Sequence, residues 1–187
     1  MDICSKITDG EHSTPERSQA GHYLLSARNV TNEGIILGDV DYVPDHEFER
    51  IRKRCDPNIG DLLISCSGSV GRVSKVDRDN AYSMVRSAAM IRPFGSHLSI
   101  DYLAYALRSP FLQSQMVKKS KKTAQANLFL GAISSLTISI PPLPEQTRIV
   151  SKIEEMMGIC DRLKAHLNHA QTTQLQLADA LTEQVIA

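Results

Sequence analysis

A regular spacing of apolar and small residues dominates the C-terminal part of the chain. From Ile149 onward these residues recur at alternating steps of four and three, for nine steps in succession. The positions are Ile149, Ile153, Met156, Cys160, Leu163, Leu167, Ala170, Gln174, Leu177 and Leu181. We call this set the seam, and only Gln174 in it is polar. Such a seven-residue repeat is typical of a helix that pairs with another helix in a coiled coil.

The helix that carries the seam is too long for the rest of the chain to cover the whole seam. Residues 145–187 contain no proline, and one helix over them would extend about 65 Å at ~1.5 Å per residue. The preceding residues, folded compactly, would have a radius of gyration of roughly 14–15 Å and a diameter of about 37–38 Å. The seam therefore requires a partner helix. The alternative is a kink near Gly158 that folds the helix back, since glycine costs only about 1 kcal/mol in a helix relative to alanine.

The residues before the seam have the mixed pattern of an α+β domain. Apolar runs predict strands at 23–27, 35–37, 61–66, 72–76, 87–92 and 137–140. Apolar residues three and four apart predict a helix at 100–107, Asp45 as a cap predicts one at 46–54, and Pro110 in a first turn predicts one at 110–117. A short helix is also expected at 128–136. Three prolines within residues 141–144 predict a stiff extended spacer there. We expect a mixed-sheet globular domain over residues 1–143, followed by one long C-terminal coiled-coil α-helix over 144–187.

Positive charge is concentrated in one segment, although the chain as a whole is neutral. The sequence has 21 Lys and Arg against 21 Asp and Glu. Residues 101–144 carry a surplus of four positive charges, because Arg108 and four lysines face only Asp101 there. The lysines are Lys118, Lys119, Lys121 and Lys122. A local basic patch can bind phosphate, and a solvated lysine-rich helix end is the alternative.

The sequence has no recognisable catalytic or metal-binding motif. Gly68-Ser69-Val70-Gly71 predicts a hairpin turn, because the G-x-S-x-G spacing of a nucleophile elbow is missing. His166 and His169 lack a third ligand, which favours a solvated helix face. The four cysteines form no C-x-x-C pair, and neither a P-loop nor an Asn-Pro-Pro-aromatic methyltransferase motif occurs. We expect a protein that is not an enzyme and holds no metal or cofactor.

Hydropathy and cysteine usage give an expectation for location. No apolar run approaches the length of a membrane-spanning helix. The first residues lack the apolar core of a secretory signal, and the cysteines have the distribution of reduced thiols. We therefore expect a cytoplasmic protein without a membrane partner.

Several segments, in order along the chain, resemble those of one known protein family. The segment at 140–150, with the sequence Ile-Pro-Pro-Leu-Pro-Glu-Gln-Thr-Arg-Ile-Val, resembles the domain-to-helix junction of type I restriction-modification specificity subunits. Thr8-Asp9-Gly10-Glu11-His12 with Thr14-Pro15 resembles the opening loop of their target-recognition domain. Similar matches are the hairpin at 60–71, the helices at 102–110 and the polar loop through Gln125, Asn127 and Leu128. Each segment is weak alone, but together they span nearly the whole chain.

The resemblance implies a subunit that recognises DNA and leaves the chemistry to its partners. Such subunits carry two target-recognition domains joined by two long antiparallel helices, and each domain reads one half of a split double-stranded DNA site. A methyltransferase subunit binds S-adenosylmethionine and methylates adenine, and a restriction and translocase subunit uses ATP and Mg. This chain has one domain and one helix, either as a half-size gene product or as a fragment. A homodimer through the seam would restore the usual pair.

The candidate DNA contacts fall into two groups. Lys118, Lys119, Lys121 and Lys122 are candidates for phosphate, because lysine neutralises backbone charge. The candidates for base edges are His12, Thr14, Arg72, Gln125 and Asn127, since such side chains hydrogen-bond to bases. Local turn bonds, a surface ion pair or loop capping would explain the same residues. The alternative function is a coiled-coil adaptor that binds only protein.

Overall fold

The computed structural model describes residues 3–95, 97–122 and 126–186, with side chains except at 121, 122 and 179–186. The chain separates into two compact units, Met1–Gln146 and Thr147–Ala187. The strands are β1 (Cys4–Asp9), β2 (His22–Leu25), β3 (Asp41–Val43), β4 (Leu62–Ser65), β5 (Val73–Lys75), β6 (Tyr82–Met84), β7 (Ala88–Pro93), β8 (Lys121–Lys122) and β9 (Ala126–Asn127). The helices are α1 (Asp45–Arg52), α2 (Ile100–Arg108), α3 (Pro110–Lys119), α4 (Leu130–Ser134) and α5 (Leu143–Ile186). The α+β class is confirmed.

A four-stranded antiparallel sheet is the centre of the first unit. Its strand order is β1-β7-β4-β5, and a second sheet has the order β3-β2-β6. In the second sheet β2 pairs antiparallel with β3 but parallel with β6. Adjacent residues of β4 point to opposite faces, and both faces are covered. Leu62 and Ile64 pack with α2 and α3, whereas Leu63 packs with Tyr82 and Met84 of the second sheet.

The hairpin predicted between residues 61 and 76 is confirmed. Strands β4 and β5 pair antiparallel, with Leu62 opposite Lys75 and Ile64 opposite Val73. The connecting turn requires glycine at Gly71, where φ is +90° and an added Cβ would lie 2.7 Å from the Gln113 side-chain oxygen. This turn fixes the end of β4, where the functional site begins.

The helices predicted after Ser99 and at Pro110 are confirmed, with serine caps at both. The Ser99 and Ser109 hydroxyls accept hydrogen bonds from the backbone N–H groups of Tyr102 and Leu112. Each cap satisfies an N–H that the first helical turn leaves without a partner. Pro110 occupies the first turn of α3, where proline needs no donor.

Two predicted strands are absent. Residues 137–140, which are all described, form no strand, and the chain at 35–37 has only an isolated bridge between Val30 and Ile35. Residues 35–37 are apolar and residues 137–140 alternate polar and apolar, but neither pattern by itself provides a neighbouring strand to pair with. The lysines near the end of α3 and Asn127 lie in regular structure. Lys118 and Lys119 end α3, and β8 pairs with β9 as a short hairpin.

The long helix begins earlier than predicted. It starts at Leu143 and includes Pro144, so the extended spacer is limited to Pro141 and Pro142. Proline is compatible with the first helical turn because its missing N–H would have no partner there. Gln146 anchors this turn and is fully buried. Its side-chain oxygen accepts from the Ser99 N–H at 2.8 Å, and its amide donates to the carbonyls of His97 and Pro141 at 2.9 Å each.

The seam lies on one continuous helix. Helix α5 runs for 44 residues through Gly158, so the folded-back alternative is wrong. The seam residues Met156, Leu163, Leu167 and Leu177 are between 57% and 64% exposed in this single chain. Cys160, Ala170 and Gln174 are exposed, and Ile149 and Ile153 are partly buried. The side chain of Leu181 lies outside the described residues. A stripe of large apolar side chains is therefore open on a long helix.

Candidate nucleic-acid interface

An open cleft of about 620 Å³ lies within the first unit, where several elements end. Strand β1 ends there at Asp9, and the chain leaves β4 through Cys66 and Ser67. Its lining residues are Asp9, His12, Arg54, Cys66, Ser67, Arg86, Asn127, Leu128, Phe129, Leu130 and Gly131. The lining thus combines two arginines, hydrogen-bonding side chains and an exposed aromatic ring.

Asp9 is the centre of a polar cluster in this cleft. Its carboxylate lies 2.8 Å from His12 Nε2 and 2.5 Å from the Arg54 guanidinium. Burial raises the pKa of Asp9, but the hydrogen bonds with Arg54 and His12 lower it by more, so the net pKa is below its ordinary value. Asp9 is therefore an anion that holds two exposed side chains in place.

The cleft has a net positive charge. Arg54 is balanced by Asp9, whereas Arg86 is exposed and, within the described part of the chain, its guanidinium makes no hydrogen bond or ion pair. Only the Arg86 backbone is held, through its N–H to the Glu11 carbonyl at 3.0 Å. An unpaired arginine in an open cleft is suited to bind phosphate or a base acceptor atom.

Strand β9 contributes one residue, Asn127, to the lining of the cleft. The Ser67 hydroxyl donates to the Asn127 side-chain oxygen at 2.8 Å, and the Leu128 N–H donates to the Cys66 carbonyl at 2.8 Å. Strand β9 pairs Asn127 with Lys121 and Ala126 with Lys122. The backbone of both lysines is thereby placed on the strand next to a cleft residue.

The sequence-predicted residues divide between the cleft and other places. The cleft brings together His12 and Asn127. Thr14 is exposed in the loop after His12 but is not among the lining residues, and Gln125 lies outside the described residues. Lys118 is exposed at the end of α3. Lys119 donates to the backbone and hydroxyl oxygens of Ser135 at 2.9 and 2.7 Å.

The side chain of Arg72 makes contacts inside the first unit. It is half-buried in the turn before β5 and donates to the Ala27 carbonyl at 2.7 Å. Its Nε is buried, and within the described residues it has no hydrogen-bond partner. A contact with DNA therefore remains a prediction for Arg72, and the structure gives it a second role inside the domain.

Four cleft residues were missed at the level of sequence. Asp9, Arg54, Arg86 and Phe129 come from four separate segments, so no local pattern connects them. The glycine after Asp9 is explained by packing. The backbone of Gly10 lies directly against the Met84 carbonyl, leaving no room for a Cβ.

The environment of Glu11, next to this cluster, should make the stability of the fold depend on pH in the acid range. The backbone N–H and hydroxyl of Ser13 donate to Glu11 and, together with Arg50, lower its pKa to about 2 against the opposing effect of burial. Because the folded pKa is below the ordinary value of 4.5, the ionised carboxylate stabilises the fold above that pH. We expect this stabilisation to be lost as the pH falls from about 4.5 to about 2. Urea unfolding across this range should show a shallower pH dependence for Glu11→Gln, and equal slopes would contradict the assignment.

The described residues also limit other chemistry. Within 3–95, 97–122 and 126–186, no three His, Cys, Asp or Glu side chains are grouped as metal ligands. Burial raises the pKa of the Cys55 and Cys66 thiols to about 12, which disfavours the reactive thiolate. Among the helices described, none has the length and apolar character to cross a membrane.

Comparison with known proteins gives consistent matches. The model of the type I restriction modification DNA specificity domain matches residues 2–170. The EcoBI specificity subunit of Escherichia coli is 27% identical over 75% of this chain and 29% of its own length. The EcoEI specificity subunit of Escherichia coli is 30% identical over 71% of this chain and 23% of its own length. The HsdS subunit of Thermoanaerobacter tengcongensis has a TM-score of 0.68 at 18% identity, covering 94% of this chain and 45% of that one. The chain thus spans less than half the length of these relatives.

Proposed function

The chain belongs to the family defined by the type I restriction-modification DNA specificity domain, and from this premise we propose that it recognises one half of a split DNA site. The first unit contacts the double-stranded DNA. The protein performs no catalysis itself, and a methyltransferase subunit and a restriction subunit supply the chemistry in the cytoplasm. S-adenosylmethionine, ATP and Mg belong to those partners.

The cleft is the observation that carries this proposal. Protein–DNA recognition needs cations that fix the register on phosphate and side chains that hydrogen-bond to base edges. The cleft supplies Arg86 without an ion-pair partner among the described residues, and Asn127, His12 and Arg54 as hydrogen-bonding groups. Phe129, 56% exposed, adds an apolar surface of the kind that contacts thymine methyl groups.

The exposed seam supports a second part of the proposal. Two copies paired through α5 would bury the same residues on each chain and provide two recognition domains. The complete reader is therefore a homodimer, which recognises a symmetric split site and docks the methyltransferase. The seam equally fits an adaptor that binds protein only, so DNA binding is the discriminating property.

Methylome sequencing tests the function directly. Cells that carry this chain with its methyltransferase should contain methylated adenine at one split sequence, and cells that carry the methyltransferase alone should not. A gel shift with the assembled complex on random duplex DNA provides the parallel binding test. Methylation that is independent of this chain, together with no DNA binding by the complex, would favour the protein-only adaptor.

Lys121 and Lys122 of the β8–β9 hairpin provide a separate test of phosphate binding. Replacing both Lys121 and Lys122 by alanine should weaken binding to all DNA sequences alike, because phosphate contacts carry no sequence information. The slope of log affinity against log salt should flatten by about one unit per lysine. Fluorescence anisotropy on labelled duplexes between low and moderate salt measures both quantities.

A matched control removes the same charge elsewhere in the first unit. Lys75 pairs with Asp101 and Arg78 pairs with Asp77, and neither lines the cleft. The double variant Lys75→Ala/Arg78→Ala should leave the salt slope nearly unchanged. Equal slopes in the two double variants would show that the hairpin makes no phosphate contact.

A further inference from the structure

The contact between His12 and Asp9 fixes which ring nitrogen of His12 carries a proton. The two atoms, His12 Nε2 and Asp9 Oδ2, are 2.8 Å apart. An ionised carboxylate only accepts hydrogen bonds, so Nε2 must donate. In the neutral ring, Nδ1 is then an acceptor, and among the described residues it has no partner. His12 is exposed and lines the cleft, so it presents an acceptor atom there.

Arg54 is fixed by the same residue and presents the opposite kind of group. Its Nε donates to the Asp9 carbonyl at 3.3 Å, and its Nη2 donates to the Asp9 carboxylate at 2.5 Å. The same Nη2 lies 3.2 Å from His12 Nε2, so the two side chains are immediate neighbours. The remaining nitrogen, Nη1, donates to no acceptor in the described part of the chain. Two neighbouring side chains of the cleft, both bonded to Asp9, therefore carry an unused donor in Arg54 and an unused acceptor in His12.

A donor next to an acceptor complements one base edge in the major groove. Adenine presents an acceptor at N7 and a donor at N6, whereas guanine presents two acceptors at N7 and O6. The exposed Phe129 ring in the same cleft suits the methyl group of the paired thymine. We propose that Asp9 is a positioning residue that sets His12 as acceptor and Arg54 as donor, and that this pair recognises an A·T base pair by its adenine edge. This inference rests on the proposed DNA-reading function.

The substitution Asp9→Asn distinguishes a positioning role from a purely structural one, because a structural role predicts no change in the preferred base. The amide oxygen of the substituted side chain must face Arg54, because the guanidinium has only donors. The amide N–H groups then face His12 Nε2, which must become the acceptor, so the ring proton moves to Nδ1. The cleft now presents two donors, which complement guanine. The preferred base pair at that position should change from A·T to G·C, while the rest of the recognised sequence is retained.

The experiment selects bound duplexes from a random library, using the full chain with its methyltransferase. Selection is run at one fixed pH for all variants, because a protonated ring would have donors at both nitrogens. The matched control is Asp45→Asn. Asp45 also pairs with a histidine, His22 at 3.1 Å, but it does not line the cleft. The control should select the wild-type sequence.

A second variant covers the case in which Asp9→Asn fails to fold. His12→Ala, at an exposed position, removes the acceptor and should reduce the preference for A·T at one position by roughly tenfold or more. Three results would overturn this inference while leaving the proposed function intact. They are an unchanged recognised sequence in both variants, a wild-type recognised sequence without the expected A·T position, and a uniform loss of affinity for all sequences. No enriched sequence with wild-type protein would overturn the proposed function as well, so the two failures are distinguishable.

Discussion

Replacing Leu163 with aspartate is expected to abolish the proposed homodimer at micromolar concentration. Leu163 lies in the middle of the seam and is 57% exposed in the single chain. Burying a leucine contributes ~1.5–3 kcal/mol, and a twofold pair loses two of them, so about 3–6 kcal/mol of association energy disappears. The dissociation constant should rise by roughly 100-fold or more. Sedimentation equilibrium of wild type and variant measures it.

Helix α5 provides a matched control for this substitution. Leu175 has the same side chain, is 66% exposed and lies on the same helix, but it is not a seam residue. Leu175→Asp should leave the dissociation constant within a fewfold of wild type. Equal effects of the two substitutions would mean that the seam is not the interface, and a wild-type protein that is monomeric at micromolar concentration would remove the homodimer altogether.

The second large effect is expected at the ion pair between Asp61 and Arg92 in the first unit. The Asp61 side chain is only 3% exposed, and it accepts two hydrogen bonds from Arg92, both at 2.8 Å. Asp61→Ala would leave the guanidinium half-buried without its main partner. Removing one member of a buried pair costs about 3–5 kcal/mol. Urea unfolding of the full chain should show this loss in the free energy of unfolding.

Two comparisons separate the ion pair from a general effect of losing charge. Asp101 pairs with Lys75 at 2.6 Å, but both side chains are well exposed. Asp101→Ala should therefore cost no more than ~1 kcal/mol. The double variant Asp61→Leu/Arg92→Met removes both charges together and should recover much of the loss. A loss at Asp61 no larger than the loss at Asp101 would contradict the role given to this pair.

Local sequence patterns predicted the elements whose cause is itself local. The seam follows from a repeat within one helix, and the hairpin of β4 and β5 joins neighbouring segments. Ser99 and Ser109 cap helices through bonds that reach only three residues. In each case the partners are close in sequence, so spacing alone contains the information.

Contacts between segments that are distant in the sequence cannot be predicted from local patterns. The parallel pairing of β2 with β6 joins residues about sixty positions apart, and no turn signal marks it. The cleft has the same origin, since Asp9 and Arg54 meet only after β1 and α1 have packed in the first unit. Gln146 was placed correctly on the helix by its motif, but its burial depends on His97 and Pro141 carbonyls that no sequence pattern reveals.

The uncharged side chain of Gln146 gives the first turn of α5 hydrogen bonds that depend less on salt than contacts between charged groups do. Ions screen exposed lysine and arginine contacts with phosphate strongly, because each contact exchanges places with counterions. The amide of Gln146 carries no charge and is fully buried, so its three hydrogen bonds have no such exchange. A rise in ionic strength should therefore weaken the proposed DNA contacts while the first turn of α5 keeps its hydrogen bonds. High-salt elution from DNA should recover the protein intact and ready to bind again.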